Sequence, residues 1–392
     1  MSEYREWQVV QAEVAGQRYS IATKPGVFAH GRSDPSTLML AARAAADAAG
    51  VVVHLNCGAG FPAAVSARAG ANRVYLTDRN VVNVEAARRT LAASDVGNAD
   101  PLLGHGTIPI APDVRADVVT IRIPQEKAAL RQLLRDAFDI LVVGGRCYVA
   151  GATNEGIKSA ARLVTGLFGE ANAIAHESGH RVLLATKRSE VALHSDYPDG
   201  EVLGHDDFNR IDATLRGVPT VLFTRPAVFS WDHLDEATSI LADAMDVRPG
   251  ESVLDLGCGA GPLGIVAARL SGGGPVTLVD ADVEAVRSAT RSVAAAGVEN
   301  CRVLPSDIAG AVLDQRFDVV VTNPPFHVGK ATDLDVPLQF IRDAWDVLDA
   351  GGRLLLVANR TLPYERPIYQ RFGNIATSVN GRRFKVLSAT RA

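Results

Sequence analysis

The sequence predicts an α/β chain of two tandem, mainly parallel, doubly wound sheets, each ending in an antiparallel hairpin. Three observations carry this. The chain repeats itself at an offset near 201 residues. Each copy alternates β-branched apolar runs with alanine-rich helical stretches. Near the end of the second copy, Asn380-Gly381 separates two strand-like runs. Strands alternating with helices argue for βαβ units, and right-handed crossovers put helices on both faces of the sheet.

The repeat is read from ordered matches. Lys24-Pro25-Gly26-Val27-Phe28 faces Arg225-Pro226-Ala227-Val228-Phe229, Asn56-Cys57-Gly58-Ala59-Gly60 faces Gly257-Cys258-Gly259-Ala260-Gly261, and Asp117-Val118-Val119 faces Asp318-Val319-Val320, all 201 apart. Gly144-Gly145-Arg146 faces Gly351-Gly352-Arg353 at 207, and Val182-Leu183 faces Val386-Leu387 at 204. Such order with small drift points to a duplicated domain. The expected division is residues 1–194, a linker over 195–216 and a second domain over 217–392. The linker rests on Pro198, Asp199, Gly200, Asp206, Asp207 and Asn209, a turn-forming composition.

In the second copy the expected strands are Ser252–Leu256, Val276–Asp280, Arg302–Leu304, Val319–Thr322 and Arg353–Val357, with helices over Asp282–Ala296 and Leu338–Leu348. Asn374–Val379 and Arg383–Ala389 read as a hairpin, because Asn-Gly suits a two-residue turn.

Composition excludes several classes. Of 392 residues, 47% are hydrophobic and 21% charged, which is not a disordered or collagen-like chain. A net charge of −4 excludes a uniformly basic nucleic-acid coat protein. Cys57, Cys147, Cys258 and Cys301 lie far apart without a Cys-x-x-Cys pair, so neither a zinc ribbon nor a disulfide framework is expected, and no metal. The opening Met-Ser-Glu-Tyr-Arg-Glu-Trp has no apolar signal core, and no run of about 18 apolar residues occurs. A cytoplasmic protein without a membrane span is expected.

Val253-Leu254-Asp255-Leu256-Gly257-Cys258-Gly259-Ala260-Gly261 reads as a buried strand, a glycine turn and a helix beginning near Pro262. Ligands bind at the carboxyl ends of such strands. Asp280 closes the next strand, where a carboxylate can accept from two ribose hydroxyls. Two ligands fit. Gly259-x-Gly261-x-x-Gly264 with Asp280 satisfies a nicotinamide-dinucleotide fingerprint. Asp255 instead favours a cationic ligand such as S-adenosylmethionine, which carries a sulfonium and an ammonium.

Asn323-Pro324-Pro325-Phe326 follows the strand ending at Thr322. Two prolines end the strand and stiffen the chain. The Asn323 side-chain oxygen and the Pro324 carbonyl can each accept one hydrogen of a planar amine, while Phe326 stacks on its ring. A purine amine is a poor nucleophile because its lone pair is delocalised. Two acceptors favour a more tetrahedral nitrogen, so orientation and charge placement supply the catalysis.

From Asp255 to Phe326 the chain resembles a class I S-adenosylmethionine-dependent methyltransferase, whose amino-methylating signature is Asn-Pro-Pro-[Phe/Tyr]. Asn-Pro-Pro-Phe-His with Val328-Gly329, the doubled domain and the ending Arg383-Phe384-Lys385-Val386 resemble a narrower family, the bacterial rRNA guanine-N2 methyltransferases, especially those of the small subunit. The resemblance implies two tandem Rossmann-like methyltransferase domains, the second binding cofactor and catalysing, the first a degenerate duplicate aiding folding and RNA binding. By it, Asp255, Gly257, Gly259 and Gly261 line the methionine and ribose of S-adenosylmethionine. Asp280 takes the ribose hydroxyls, Asp307 meets the adenine amine, and Asn323, Pro324, Pro325 and Phe326 are catalytic. In the first copy Asp255 is matched by His54, Gly257 by Asn56, and the tetrapeptide by Arg122-Ile123-Pro124-Gln125.

The expected activity is methylation of a guanosine 2-amino group in rRNA, with the small ribosomal subunit or its RNA as partner and a monomer holding an internal pseudo-dimer of domains. Alternatives are another amine acceptor (a large-subunit rRNA guanosine, an adenine or a protein glutamine), a nicotinamide oxidoreductase and a non-catalytic RNA-binding module. His176-Glu177-Ser178-Gly179-His180 matches a zinc-protease pattern, but Ser178 and Gly179 are poor helix residues. His327 touches substrate or caps its loop. Residues 353–392 hold eight basic residues (Arg353, Arg360, Arg366, Arg371, Arg382, Arg383, Lys385, Arg391) against Glu365 alone, which suits an RNA-facing edge or a solvated face. Arg122 and Lys127 could likewise grip phosphate.

Overall fold

The computed structural model describes residues 3–192, 197, 202–325 and 334–392. The chain divides into two compact units, Glu3–Asp206 and Asp207–Ala392.

In the first unit β1 (Gln8–Val14) and β2 (Gln17–Thr23) form a separate antiparallel hairpin. Then come α1 (Pro35–Ala44), β3 (Val51–Leu55), α2 (Phe61–Arg68), β4 (Arg73–Asp78), α3 (Val81–Ala93), β5 (Ala99–Leu103) and β6 (Ala116–Arg122). The unit closes with α4 (Lys127–Ile140), β7 (Leu141–Ala152), α5 (Ile157–Phe168), β8 (Asn172–Glu177) and β9 (His180–Thr186). The seven-stranded sheet has the order β5-β4-β3-β6-β7-β9-β8, parallel except where β9 pairs with β7 and β8.

The second unit repeats this. It has a hairpin of β10 (Asn209–Leu215) and β11 (Val218–Thr224), then α6 (Glu236–Ala244), β12 (Val253–Leu256), α7 (Pro262–Ser271), β13 (Val276–Asp280), α8 (Val283–Ala296) and β14 (Cys301–Pro305). It ends with β15 (Phe317–Thr322), α9 (Asp335–Val347), β16 (Leu348–Asn359), α10 (Glu365–Phe372), β17 (Ala376–Asn380) and β18 (Phe384–Thr390). The sheet order is β14-β13-β12-β15-β16-β18-β17, with β18 antiparallel to β16 and β17. The two sheets therefore share one topology, mainly parallel with a closing hairpin, as the repeat implies.

This order positions the site. From β12 the chain builds outward to β13 and β14 on one side, then returns to place β15 on the other. The crevice at the carboxyl ends of β12 and β15 is the topological switch point where ligands bind in such sheets. All four β12 residues are fully buried, as expected of a central parallel strand covered on both faces. Val253, Leu278, Val319 and Val357 from the strands pack with Leu241, Ile265 and Val266 from α6 and α7. Each such side chain contributes roughly 1.5–3 kcal/mol on burial.

Two expectations change. Residues 209–215 of the expected linker form β10, because Ile211 and Leu215 point inward in alternation with exposed Arg210 and Asp212. The tight turn is absent at Asn380-Gly381. Asn380 is the last residue of β17, pairing with Lys385, and Gly381–Arg383 make a longer loop. The matching hairpin of the first unit does have a two-residue turn, at Ser178 (φ +47°) and Gly179 (φ +85°). Hence His176-Glu177-Ser178-Gly179-His180 crosses a hairpin, not a helix, and His180 Nδ1 lies 2.7 Å from Ser36 Oγ.

Candidate active site

The glycine turn after β12 divides its work among its residues. Gly257, Gly259 and Gly261 have φ of +78°, +54° and +85°, in the left-handed region that favours glycine. A Cβ on Gly257 would stand 2.9 Å from Phe340, and one on Gly261 would stand 3.2 Å from Ala289 and Leu278. A Cβ on Gly259 would meet nothing within 4 Å. Gly257 and Gly261 are thus also close-packing positions, and the open ground of the loop is at Gly259. Gly264 serves helix–sheet packing, since a Cβ there would stand 2.3 Å from Leu278.

Asp280 at the end of β13 is half-buried. Its Oδ2 accepts from Gly259 N–H at 2.9 Å and its Oδ1 from Asp282 N–H at 3.0 Å. Asp307 is half-buried just beyond β14, in a turn where Ser306 Oγ accepts from Ala311 N–H at 3.0 Å.

Asp255 is fully buried in β12. Its Oδ2 accepts from Gly264 N–H in the first turn of α7 at 2.8 Å. Its Oδ1 is buried with no hydrogen-bond partner among the described residues. Burial pushes its pKa up to about 7, the Gly264 N–H opposes this, and the Asp280 charge adds to it. A cation brought to this oxygen would restore the carboxylate.

Parallel pairing sets Asp255 beside Val321, so Asn323, two residues on, is level with Gly257 on the neighbouring strand about 4.8 Å away. Thr322 Oγ donates to Leu256 C=O at 2.7 Å and ties the strand ends together. Asn323 and Pro324 are half-buried and buried, Pro325 is exposed, and Phe326 and His327 lie outside the described residues. Asn323 Nδ2 donates to Asp235 Oδ2 at 3.1 Å and to Thr238 Oγ at 3.0 Å. Asn323 Oδ1 is buried and has no partner among the described residues.

Asp255, Gly257, Gly259, Gly261, Asp280, Asp307, Asn323, Pro324 and Pro325 thus gather at the carboxyl ends of four adjacent strands, β14-β13-β12-β15. Sequence reasoning missed Asp235 and Thr238. Their signal was present, since Asp34 and Thr37 match them at the same 201-residue offset.

The first unit fills the same ground with its own side chains. His54 replaces Asp255; it is buried, its Nδ1 lies 2.6 Å from Thr120 Oγ, and burial lowers its pKa to about 3. Asn56 holds φ +58°, and its Nδ2 donates to the Arg122 carbonyl at 2.8 Å. Arg122 replaces Asn323, is 7% exposed, and pairs with Asp34 (2.9 Å) and Glu155 (2.8 Å). It is therefore not the phosphate grip expected from sequence. Asp78 is buried and accepts from Gly58 N–H, Asn80 N–H and Asn83 Nδ2.

The basic tail is partly neutralised through tertiary contacts. Arg353 forks onto Glu251 at 2.7 Å, Arg371 pairs with Asp346 at 2.5 Å, Lys385 with Glu365 at 2.5 Å, and Arg383 with Glu236. Arg360, Arg366 and Arg382 are exposed. Among the described residues no group of three or more acidic, histidine or cysteine side chains could hold a metal, and no helix is long and apolar enough to cross a membrane.

The family model of the methyltransferase small domain matches this chain twice, over residues 18–184 and 220–388. Ribosomal RNA small subunit methyltransferase C of Hahella chejuensis is 31% identical over 280 residues, which cover 71% of this chain and 79% of that protein. The Escherichia coli SMS-3-5 protein of the same name is 32% identical over 266 residues, covering 68% and 73%. A Thermus thermophilus 16S rRNA N2 methyltransferase, solved in complex with AdoMet and guanosine, superposes with a TM-score of 0.81 at 29% identity, covering 100% of this chain and 99% of that one. The chain belongs to the methyltransferase small-domain family and, within it, to the ribosomal RNA small subunit methyltransferase C group.

Proposed function

We propose that the second unit methylates the exocyclic 2-amino group of a guanosine in 16S rRNA, using S-adenosylmethionine. The observation that carries this is the buried, unpartnered Asn323 Oδ1 beside the glycine turn. An oxygen in that state is stabilised by a hydrogen-bond donor such as an amine. The relatives named for small-subunit rRNA, and the T. thermophilus neighbour solved with AdoMet and guanosine, support the same substrate.

The residues present fit the cofactor. The lone Asp255 Oδ1 suits a cation, and the open face of Gly259 admits a ligand close to the backbone. Gly257, Gly259, Gly261 and Asp255 would hold the methionine and ribose part, Asp280 the ribose hydroxyls and Asp307 the adenine amine. When bound, S-adenosylmethionine supplies an electrophilic methyl on a sulfonium. A pyrophosphate would meet like charge at Asp255 and Asp280, which disfavours the nicotinamide alternative.

Asn323 Oδ1 and the Pro324 carbonyl each accept one amine hydrogen and draw it out of the purine plane. The nitrogen lone pair is then localised and aimed, and the amine's surplus proton passes to solvent. Phe326 stacks on the base, which must leave its helical stack to reach it. The first unit, its site filled by Arg122 and His54, supports folding and RNA binding and neither methylates nor holds the cofactor tightly. The protein works as a monomer on the small subunit or its RNA, in the cytoplasm.

Mass mapping of methylated guanosines in 16S rRNA, from cells with and without the gene, tests the reading. One N2-methylguanosine should vanish on deletion and return with the wild-type gene but not with Asn323→Ala. An unchanged map overturns the assignment.

A further inference from the structure

We propose that Asp235 and Thr238 are positioning residues for the methyl transfer: they hold the Asn323 amide so that its oxygen, and not its nitrogen, faces the substrate amine. This rests on the methyl-transfer reading above and names the device that makes Asn323 serve it.

The chemistry of the partners determines the amide's orientation. Asp235 is the N-cap of α6, and its Oδ2 accepts from Thr238 N–H (2.8 Å) and Thr238 Oγ–H (3.0 Å). Thr238 has thereby given its only hydroxyl hydrogen to the carboxylate and offers Asn323 lone pairs. Asp235, as a carboxylate, also offers only lone pairs. Both neighbours of the Asn323 amide on that side are acceptors, at 3.1 and 3.0 Å, so they take the NH2 end. A flipped amide would set its oxygen against two acceptors and leave the NH2 end buried. The hydrogen-bond network therefore decides an assignment that amide shape alone leaves ambiguous. An amide turned the other way would present a donor to an amine that needs an acceptor.

The first unit supplies a control. Asp34 caps α1 in the same way, taking Thr37 N–H and Thr37 Oγ–H at 2.8 and 2.7 Å. Its carboxylate also holds the side chain at the end of the matching strand, and there that side chain is Arg122. The aspartate and threonine persist across the duplication, while the group on the aspartate is an arginine in the first unit and an asparagine in the second. A helix cap alone accounts for the aspartate in both units. It does not account for the two acceptors converging on Asn323.

The test separates cap from positioning. Serine is a good N-cap but is too short to reach Asn323. Asp235→Ser should lower kcat on 16S rRNA or small subunits by about 100-fold, the scale of a misplaced orienting group. Its affinity for S-adenosylmethionine by calorimetry should stay within about twofold of wild type, because the glycine turn is untouched. A second arm reads stability in the protein alone. Asn323→Asp sets two carboxylates against each other and should lower Tm. Adding Asp235→Ser, which keeps the cap and removes the facing carboxylate, should recover Tm.

Wild-type-like kcat in Asp235→Ser, or a double variant no more stable than Asn323→Asp alone, overturns the positioning role. If wild-type protein methylates no guanosine while the Tm coupling holds, the substrate reading fails and the hold on Asn323 stands.

Discussion

At the end of β6 the first unit carries Arg122, and at the end of β15 the second carries Asn323; each side chain reaches the N-cap aspartate of the helix that precedes the sheet. One contact is an ion pair closed within the protein, with Glu155 on its far side. The other leaves an oxygen unsatisfied. The neighbouring strand ends differ in chemistry, while each leaves one buried atom, His54 Nε2 or Asp255 Oδ1, without a partner among the described residues. His54 is buried and neutral against Thr120, whereas Asp255 is a buried acid held near pKa 7. Strand order and the glycine turn are common to both units. The two units therefore differ not in fold but in the chemistry of the groups buried at their strand ends.

Transplanting the first unit's residue should have the largest effect. Asn323→Arg should lower methyl transfer by about 1,000-fold or more, the upper range for losing one preorganised polar contact, because it also occupies the site. Asp235 awaits the guanidinium, so the fold should survive with unchanged circular dichroism. Activity above a tenth of wild type would break the comparison.

Next in size is the pH dependence of Asp255. Its folded-state pKa stands above the ordinary carboxyl value of 3.8, at about 7. Between those values the unfolded chain releases the proton that the folded chain keeps, so this group makes stability fall as pH rises from about 4 to about 7. The full effect is about 4 kcal/mol. Asp255→Asn should remove that component, seen as the difference between wild-type and variant urea melts from pH 4 to 8. In the wild type, S-adenosylmethionine should bind more tightly as pH rises through 7, and the variant should lose this trend. Parallel profiles for both proteins would show that the carboxyl is not buried and acidic as drawn.

In the first unit, Arg122→Ala should cost about 3 kcal/mol, the low end for breaking a buried pair because Glu155 is partly exposed. Denaturant melts monitor this, and kcat measured where the fold is intact should not move. A kcat that falls with it would give the first unit a share in the chemistry. The smallest effect belongs to Arg383→Ala. Its pair with Glu236 is exposed on both sides, so stability should change by less than about 1 kcal/mol.

The glycine turn, the start of α7 at Pro262 and the strand to Asp280 were legible in the sequence because each is a local pattern. Asp255 stood out as an acid within the buried run Val253–Leu256, and Asn323-Pro324-Pro325 as a strand stop. What stayed hidden depends on distant contacts. Asp235 acquires its meaning from Asn323, 88 residues away. The basic tail looks unpaired because Glu251 and Glu236, which meet Arg353 and Arg383, lie 102 and 147 residues upstream. β10 was read as linker because turn-forming residues precede an alternation only seven residues long.

The Arg122 clamp also bears on how readily the first half tolerates change at this position. Replacing that arginine by asparagine would strand Glu155 and Asp34 without their cation, while His54 still held the place of the acid. Such a substitution passes through a less stable protein. The clamp behaves as a ratchet: with both ion pairs closed, no single loss of the guanidinium leaves the two carboxylates paired.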